Sequence, residues 1–449
     1  MQRVSGIRKL WLLGATAALI AGGAMPAAAA DLGGDCCTDL EDRIAELEAT
    51  AARKGSRKVS LMISGWVNEE IALWDDGTER NAYIGTSPVQ QSRFKFLGQA
   101  KIDKDSSAGY LLEIGVNGYP GGQWDQAGPS STSAKTPSNG LTVRRGSWFL
   151  KNSKWGRVLV GQDAMTTYHL LAESDTTMTR KIYHDEGAPD FQAKFFVRDK
   201  SGNFVNAGGN LRWSDVMRGY NNSTPGNGGR RNIVRYDSPA VMGFTASASW
   251  GEDDVWDTTL AYVGGFGDFT VNGRAGYGHS TDGASTPCHT VPTTGDDAAD
   301  CDWWGVSGFV QHNPTGIFVL ASYGEQNDNA RAEAALQPGL VDKTDTTWFV
   351  QAGIEHKWLS FGKTNFFGQY RHDDAGSDLT AGGALRTQEG NVDFWTVGAI
   401  QHLEAADAML YVIYQHADGD VVANVTNSGL ANVEFDTLQQ VVAGMRIAF

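Results

Sequence analysis

The sequence has little proline, 12 in 449 residues, and only 4 cysteines. It lacks the repeated runs of about 20 apolar residues that a polytopic helical membrane protein needs, and its mean hydropathy is −0.32. It is also short of positive charge: 37 Lys+Arg stand against 52 Asp+Glu, for a formal net charge of −15. That deficit excludes a general nucleic-acid binder, which needs a basic face for phosphates. Signatures of common chemistry are missing too. There is no GxSxG, and no CxxC pair for zinc or thioredoxin chemistry. Phe361-Gly362-Lys363-Thr364 contains part of a phosphate loop, but Lys357 stands where the upstream glycine belongs. What is plentiful is glycine, at 55, and aromatic side chains, at 10%, with 14 tryptophans. That aromatic content excludes wholesale disorder. The balance points to many strands and many turns, with room for one large closed sheet.

The first 30 residues read as a signal peptide. Arg3, Arg8 and Lys9 form a positive start, Leu10 to Ala21 is a short apolar run, and Ala28-Ala29-Ala30 offers a small-x-small cleavage pattern. Cleavage there removes three cations and takes the formal charge from −15 to −18. Residues 31–57 form a short helical or coiled-coil segment. Thr38-Asp39-Leu40-Glu41 fits a capping box. Leu40, Ile44, Leu47 and Ala51 then make a seam of about two heptads, marginal as an isolated coil. Two readings stay open: a coil between protomers, which Cys36 and Cys37 could cross-link, or one amphipathic helix on its own chain. In an exported protein, Cys288 and Cys301 are expected to pair across a short polar loop, for a gain of roughly 3 kcal/mol.

From residue 58 onward the period changes to two. Val59, Leu61, Ile63, Val67 and Ile71 share one face, and Ser60, Ser64, Asn68 and Glu70 the other. Phe94 and Phe96 oppose Arg93 and Lys95. Tyr110, Leu112 and Ile114 oppose Gly109 and Glu113. Strands are expected at 59–74, 91–103, 107–117, 141–151, 156–162, 230–237, 243–250, 256–263, 268–278, 303–312, 316–324, 346–357, 363–373, 391–402, 407–416 and 437–449. Short turns alternate with long polar loops, the pattern of an all-β transmembrane antiparallel barrel of about 16 strands spanning 58–449. Closure removes the unpaired edges that lipid does not tolerate. A soluble sandwich or propeller would show the same alternation. Trp66, Trp74, Trp148, Trp155, Trp250, Trp256, Trp303, Trp304, Trp348 and Trp358 near strand ends favour the membrane, where aromatics form interfacial girdles.

With these features the chain resembles a Gram-negative outer-membrane porin, most of all the alphaproteobacterial porin family. The resemblance rests on the terminal strand Val441 to Phe449, on Gly156-Arg157-Val158-Leu159-Val160-Gly161-Gln162, on Arg231 to Pro239 followed by Gly243-Phe244, and on the mature start with its Cys pair and short helix. The enterobacterial PEFGG-type sequence of the third loop is absent. The resemblance implies a barrel in the outer membrane, in contact with its lipid and lipopolysaccharide, trimeric, with the third loop folded inward. It implies passive diffusion of small hydrophilic solutes and ions, with no cofactor, no metal, no catalytic residue and no nucleic-acid partner. Phe449 would belong to the assembly signal.

In such a pore, diameter and lining charge set selectivity. The basic side of the constriction is expected from Arg93, Lys95, Arg144, Arg145, Arg231, Arg235 and Arg274. Arg144 and Arg145 are adjacent, so strand parity admits only one of them to the lumen. The acidic side is expected from the 163–229 segment, at Asp163, Glu173, Asp175, Asp185, Glu186 and Asp190. The overall acidity suggests a weak cation preference. His184-Asp185-Glu186, His372-Asp373-Asp374 and the acids Asp296, Asp297 and Asp300 lack the spacings of metal ligands. The competing readings are a sugar-selective porin, a barrel hydrolase with its site among the loops, and a barrel-anchored structural or adhesive protein.

Overall fold

The computed structural model describes residues 59–116, 121–128, 140–185, 187–219, 224–251, 254–282, 298–380, 382–425 and 429–449. The expected signal peptide, the 31–57 segment, Glu186, Cys288, Asp296 and Asp297 lie outside the described residues. Sixteen long strands close one antiparallel sheet. They are β1 (Ser60–Asp75), β2 (Arg93–Lys101), β3 (Ser106–Val116), β4 (Leu141–Asn152), β5 (Gly156–Ala164), β6 (Arg230–Asp237), β7 (Phe244–Gly251) and β8 (Trp256–Phe266). The second half is β9 (Phe269–Asp282), β10 (Ala298–His312), β11 (Ile317–Asp328), β12 (Thr344–Leu359), β13 (Gly362–Ala375), β14 (Leu385–Leu403), β15 (Ala408–Val425) and β16 (Leu438–Ala448). Each strand pairs with its sequence neighbour, and β1 closes the ring on β16, with Val67 opposite Ile447 and Leu73 opposite Val441. Three short strands, Arg80–Thr86, Asp378–Leu379 and Gly429–Glu434, add ladder in the connections. Among the described residues no helix is long and apolar enough to cross a membrane.

Burial decides between barrel and sandwich. Along β1, Val67 is 48% exposed and Asn68 is fully buried. Val350, Val397 and Leu410 are likewise exposed, while Gln351, Thr396 and Gln415 are buried. A soluble sandwich would bury the apolar set. Here the apolar residues cover the outside and the polar residues the inside, as a barrel in lipid requires.

The strands run further than the sequence suggests at their long-loop ends. β9 continues to Asp282, β10 begins at Ala298, β14 at Leu385, and β15 reaches Val425. Beyond the membrane a hairpin needs no apolar face, so the alternation fades while the ladder continues. Three of the ten tryptophans assigned to girdles are also corrected. Trp66 donates to the Gln90 carbonyl at 3.3 Å and Trp303 to Thr167 Oγ1 at 3.0 Å. Trp74 is buried against Tyr83 and Phe195, with ring centroids at 5.7 and 5.1 Å. All three share parity with inward polar residues. The other seven are exposed.

The connection 165–229 is the longest between barrel strands, and it is bonded to the polar faces of the strands. Thr167 donates to Asp257 of β8 from both its amide and its hydroxyl, at 2.7 Å each. Ser174 meets Ser307 of β10 at 2.7 Å, and Ser322 of β11 donates to the Leu171 carbonyl at 2.6 Å. The Met178 amide donates to Glu355 of β12 at 2.7 Å, and Thr179 donates to Asn365 of β13 at 3.1 Å. Tyr183 meets Thr396 of β14 at 2.8 Å and Gln415 of β15 at 3.1 Å. Gln440 of β16 donates to the Phe191 carbonyl at 3.1 Å. These bonds satisfy inward polar groups that would otherwise be buried at a cost.

A row of glycines admits this segment. Gly276, Gly305 and Gly324 lie side by side on the inner faces of β9, β10 and β11. A Cβ on Gly324 would come within 2.0 Å of the Pro225 carbonyl oxygen, and one on Gly276 within 2.7 Å of Thr167 Cγ2. The later part of the connection packs among other long connections. Trp213 stacks edge-on against Phe435 at 5.5 Å, and Arg198 pairs with Asp76 at 2.7 Å and with Glu79 at 2.8 Å.

Candidate functional site

The basic residues gather on the β2–β5 side of the inner wall. Arg93 and Lys95 are two apart on β2, so they share its inner face. Opposite them on β3 stands Glu113. Arg93 reaches its carboxylate at 3.1 Å and Lys95 at 3.3 Å. Arg144 reaches it at 2.9 Å. Arg145 also points inward, 3.5 Å from Asp163. Parity admitted only one of the adjacent arginines, and the structure admits both. The cause is a β-bulge: Glu113 pairs with Arg145 and Ile114 with Val143, leaving Arg144 as the extra residue. The outward positions resume with Val143 on one side and Trp148 on the other, both exposed.

The remaining basic candidates separate. Arg235 bonds Asp237 at 2.9 Å and the carbonyls of Ala164 and Met165 at 3.1 and 3.2 Å. Arg274 lies 3.8 Å from Glu173. Arg231 is buried opposite Asp163 in the β5–β6 ladder and lines neither cavity described below.

Among the described residues the acidic candidates do not form an opposing wall. Asp163 belongs to β5, where it accepts from Ser147 at 2.6 Å. Glu173 is the most open of the five described acids, and it pairs with Arg180 as well as Arg274. Asp175 is buried, accepting from the Thr177 amide at 2.7 Å and from Gln351 at 3.1 Å. Burial pushes its carboxyl up to about 6. Asp185 is buried as well, accepting from Asn227 and bonded to His169 at 2.9 Å and His184 at 3.1 Å. Burial alone would raise the Asp185 carboxyl, but the imidazoles and their hydrogen bonds hold it well below the usual carboxylate range. Burial brings the His169 imidazole down to about 3. The three groups could converge on a metal, yet they bond one another, and the cluster locks the segment together. Asp190 is buried and lines the first cavity.

Two cavities lie against this wall. The first, of about 370 Å³, is lined by Arg93, Lys95, Arg144, Arg145, Arg180 and Arg230 against the acids Glu113, Glu173 and Asp190. The second, of about 840 Å³, is lined by Arg145, Lys151, Arg157, Arg235 and Arg274 against Asp163, Glu173 and Asp237. They meet at Arg145, Tyr168 and Glu173. Both linings carry more cations than carboxylates. Sequence reasoning had placed Glu113 on the right face without seeing it as the shared partner. It missed Arg180, Arg230 and Tyr168, which lie in or beside a connection that has no register to read. Trp66 is ringed by charge, with Arg93, Lys95 and Arg446 at 4.6, 4.7 and 4.2 Å from its ring centroid.

A closed barrel with a polar, charge-lined interior is the architecture of a channel. The family model described as Gram-negative porin matches residues 15–431. The chain belongs to the Gram-negative porin family. No curated protein matches it, but solved porin structures do. An anion-selective porin from Comamonas acidovorans is 16% identical, with a TM-score of 0.54 over 87% of this chain and 100% of that one. OmpT, an outer-membrane protein of Vibrio cholerae, is 13% identical, with a TM-score of 0.51 over 88% and 99%. OmpF of Salmonella typhi, in complex with daunomycin, is 13% identical, with a TM-score of 0.50 over 87% and 98%. At these identities the likeness speaks for the fold. This porin is an outer-membrane channel through which small hydrophilic solutes and ions diffuse passively.

Proposed function

We propose that this porin is a diffusion channel of the alphaproteobacterial type whose waist favours anions. In this reading the segment 165–192 folds inward as the third loop, and the passage runs between it and the β1–β5 wall. The reading is carried by one observation: Arg93, Lys95 and Arg144 share the single carboxylate of Glu113. Charges at a waist act at short range and in a reduced dielectric, so they outweigh the acid spread over the mouth. The sign of selectivity is then opposite to the one the net charge suggests. The sugar-selective alternative loses ground because the Trp66 ring is faced by cations. A plugged structural or adhesive barrel is disfavoured by two cavities that meet.

The same reading includes export by residues 1–30, assembly as a homotrimer among outer-membrane lipid and lipopolysaccharide, and a helical segment over 31–57 at the mature start. The test is the reversal potential of the purified protein in a planar bilayer under a KCl gradient. Chloride preference is the expected result, and a cation-selective pore would overturn the proposed waist.

A further inference from the structure

We propose that the cavity beside Glu113 is a saturable site for a doubly charged oxyanion, the phosphate-like end of a small solute. It rests on the channel reading above and adds a binding step to it. Six cations face three carboxylates in this cavity, and three of the cations meet on Glu113 alone, so the lining carries a positive excess that a dianion offsets better than a single chloride. The donors are also shaped for oxygen. Arg93 and Arg144 carry planar guanidinium groups, which bind oxyanions through paired hydrogen bonds, whereas a monatomic ion uses only their charge.

The site is held ready. The bulge on β4 sets Arg144 beside Arg145 instead of across the strand from it, and Arg144 is braced by Gln91 at 2.7 Å. Trp66 lies under Arg93 and Lys95 and restrains both heads. Groups fixed in advance lose less entropy on binding. A cavity of about 370 Å³ is larger than the anion itself and leaves space for water or the rest of a solute. Glu113 competes with the anion for the same three donors, so it keeps binding weak enough for release, as conduction requires.

The experiment uses the full mature protein in planar bilayers at 0.1 M KCl, with sulfate, inorganic phosphate at pH 8 and glycerol phosphate as probes. Each dianion is expected to reduce chloride current with a saturating dependence on concentration. Replacing Arg93 and Arg144 with Ala should raise the half-blocking concentration at least about tenfold. Glu113→Gln should lower it several-fold, a change that misfolding cannot imitate. Arg144→Lys keeps the charge and guards against loss of fold; it should weaken block without reversing ion preference. Block by free phosphate but not by the ester would assign the site to the free ion, and block by both to a solute end-group. Current that rises linearly with each dianion, or block that ignores all these variants, would overturn the site. A chloride-selective pore without block would remove the site and leave the channel reading. A cation-selective wild type would remove the reading beneath it.

Discussion

Replacing Gly324 with alanine tests whether the long connection sits where the inner wall is lowest. The new Cβ would lie 2.0 Å from the Pro225 carbonyl oxygen and 2.7 Å from its carbonyl carbon. Ordinary contact begins near 3.4 Å, so backbone must move by about 1.4 Å, and it cannot rotate away as a side chain would. Overpacking of this kind costs about 1–3 kcal/mol. Gly276→Ala meets Thr167 Cγ2 at 2.7 Å, and Gly305→Ala meets the movable end of Leu171 at 3.0 Å. Effects should therefore rank Gly324, Gly276, Gly305. On the proposed inward placement, the segment shifts toward the channel axis, and single-channel conductance should fall for Gly324→Ala more than for the other two variants. The heat stability of the folded barrel should fall in the same order. Equal conductance and stability across all three variants would refute docking of the segment on this row.

Asp175→Asn should remove a pH dependence. Its carboxyl is raised to about 6 by burial, so its favourable contribution is complete below about 4 and is lost as pH rises through about 6. The variant should be more stable than wild type at pH 8, by up to about 3 kcal/mol, and no more stable at pH 4. Thermal unfolding at the two values measures the difference, and an equal effect at both would contradict it. Deleting Phe449 removes backbone bonds to Gly65 at 2.9 and 3.1 Å and an exposed ring, so folded stability should change little while membrane insertion slows. Insertion at the normal rate would deny the residue a signalling role. Cys288 and Cys301 are expected to be paired within one chain, and peptide mapping that found both thiols free would disprove the pairing.

The barrel was legible because lipid and lumen impose opposite demands on alternate residues. All sixteen strands follow from that alternation, and it weakens only where hairpins leave the membrane, as at 279–282 and 417–425. Trp66 was misplaced when its position near a strand end outweighed its parity with Asn68 and Glu70. The inward orientation of Arg144 and Arg145 together was not legible, because a bulge is a property of two strands and leaves no period in either. Asp175 and Asp185 are bonded within and beside the connection, a role not legible in the sequence because a connection has no register, so an acid there is as free to anchor as to line a pore. The glycine row, by contrast, was readable in principle. Gly276, Gly305 and Gly324 sit at inward positions of three consecutive strands, where a packed wall would carry side chains.

On the proposed inward placement of the connection, the side chains around the ring account for a passage beside the cations. On β9, β10 and β11 the wall is cut down to glycine, and the chain at 167–171 and 225 approaches the strands there. From β13 to β16 the polar groups Asn365, Thr396, Gln415 and Gln440 bond the same connection. On β2 to β4 the wall carries Arg93, Lys95, Arg144 and Arg145, and the connection brings Arg180 and Glu173 to the same cavity. In the proposed arrangement the connection lies against the glycine row and these polar groups, and the gap is left beside the arginines. Both cavities are lined in part by residues of β2 to β4, and the second by β5, β6 and β9 as well. On this proposal, selectivity and pore position follow from one feature, the distribution of side-chain size and charge around the ring. A change on the glycine side that never touches a permeating ion should alter conduction as much as one at an arginine.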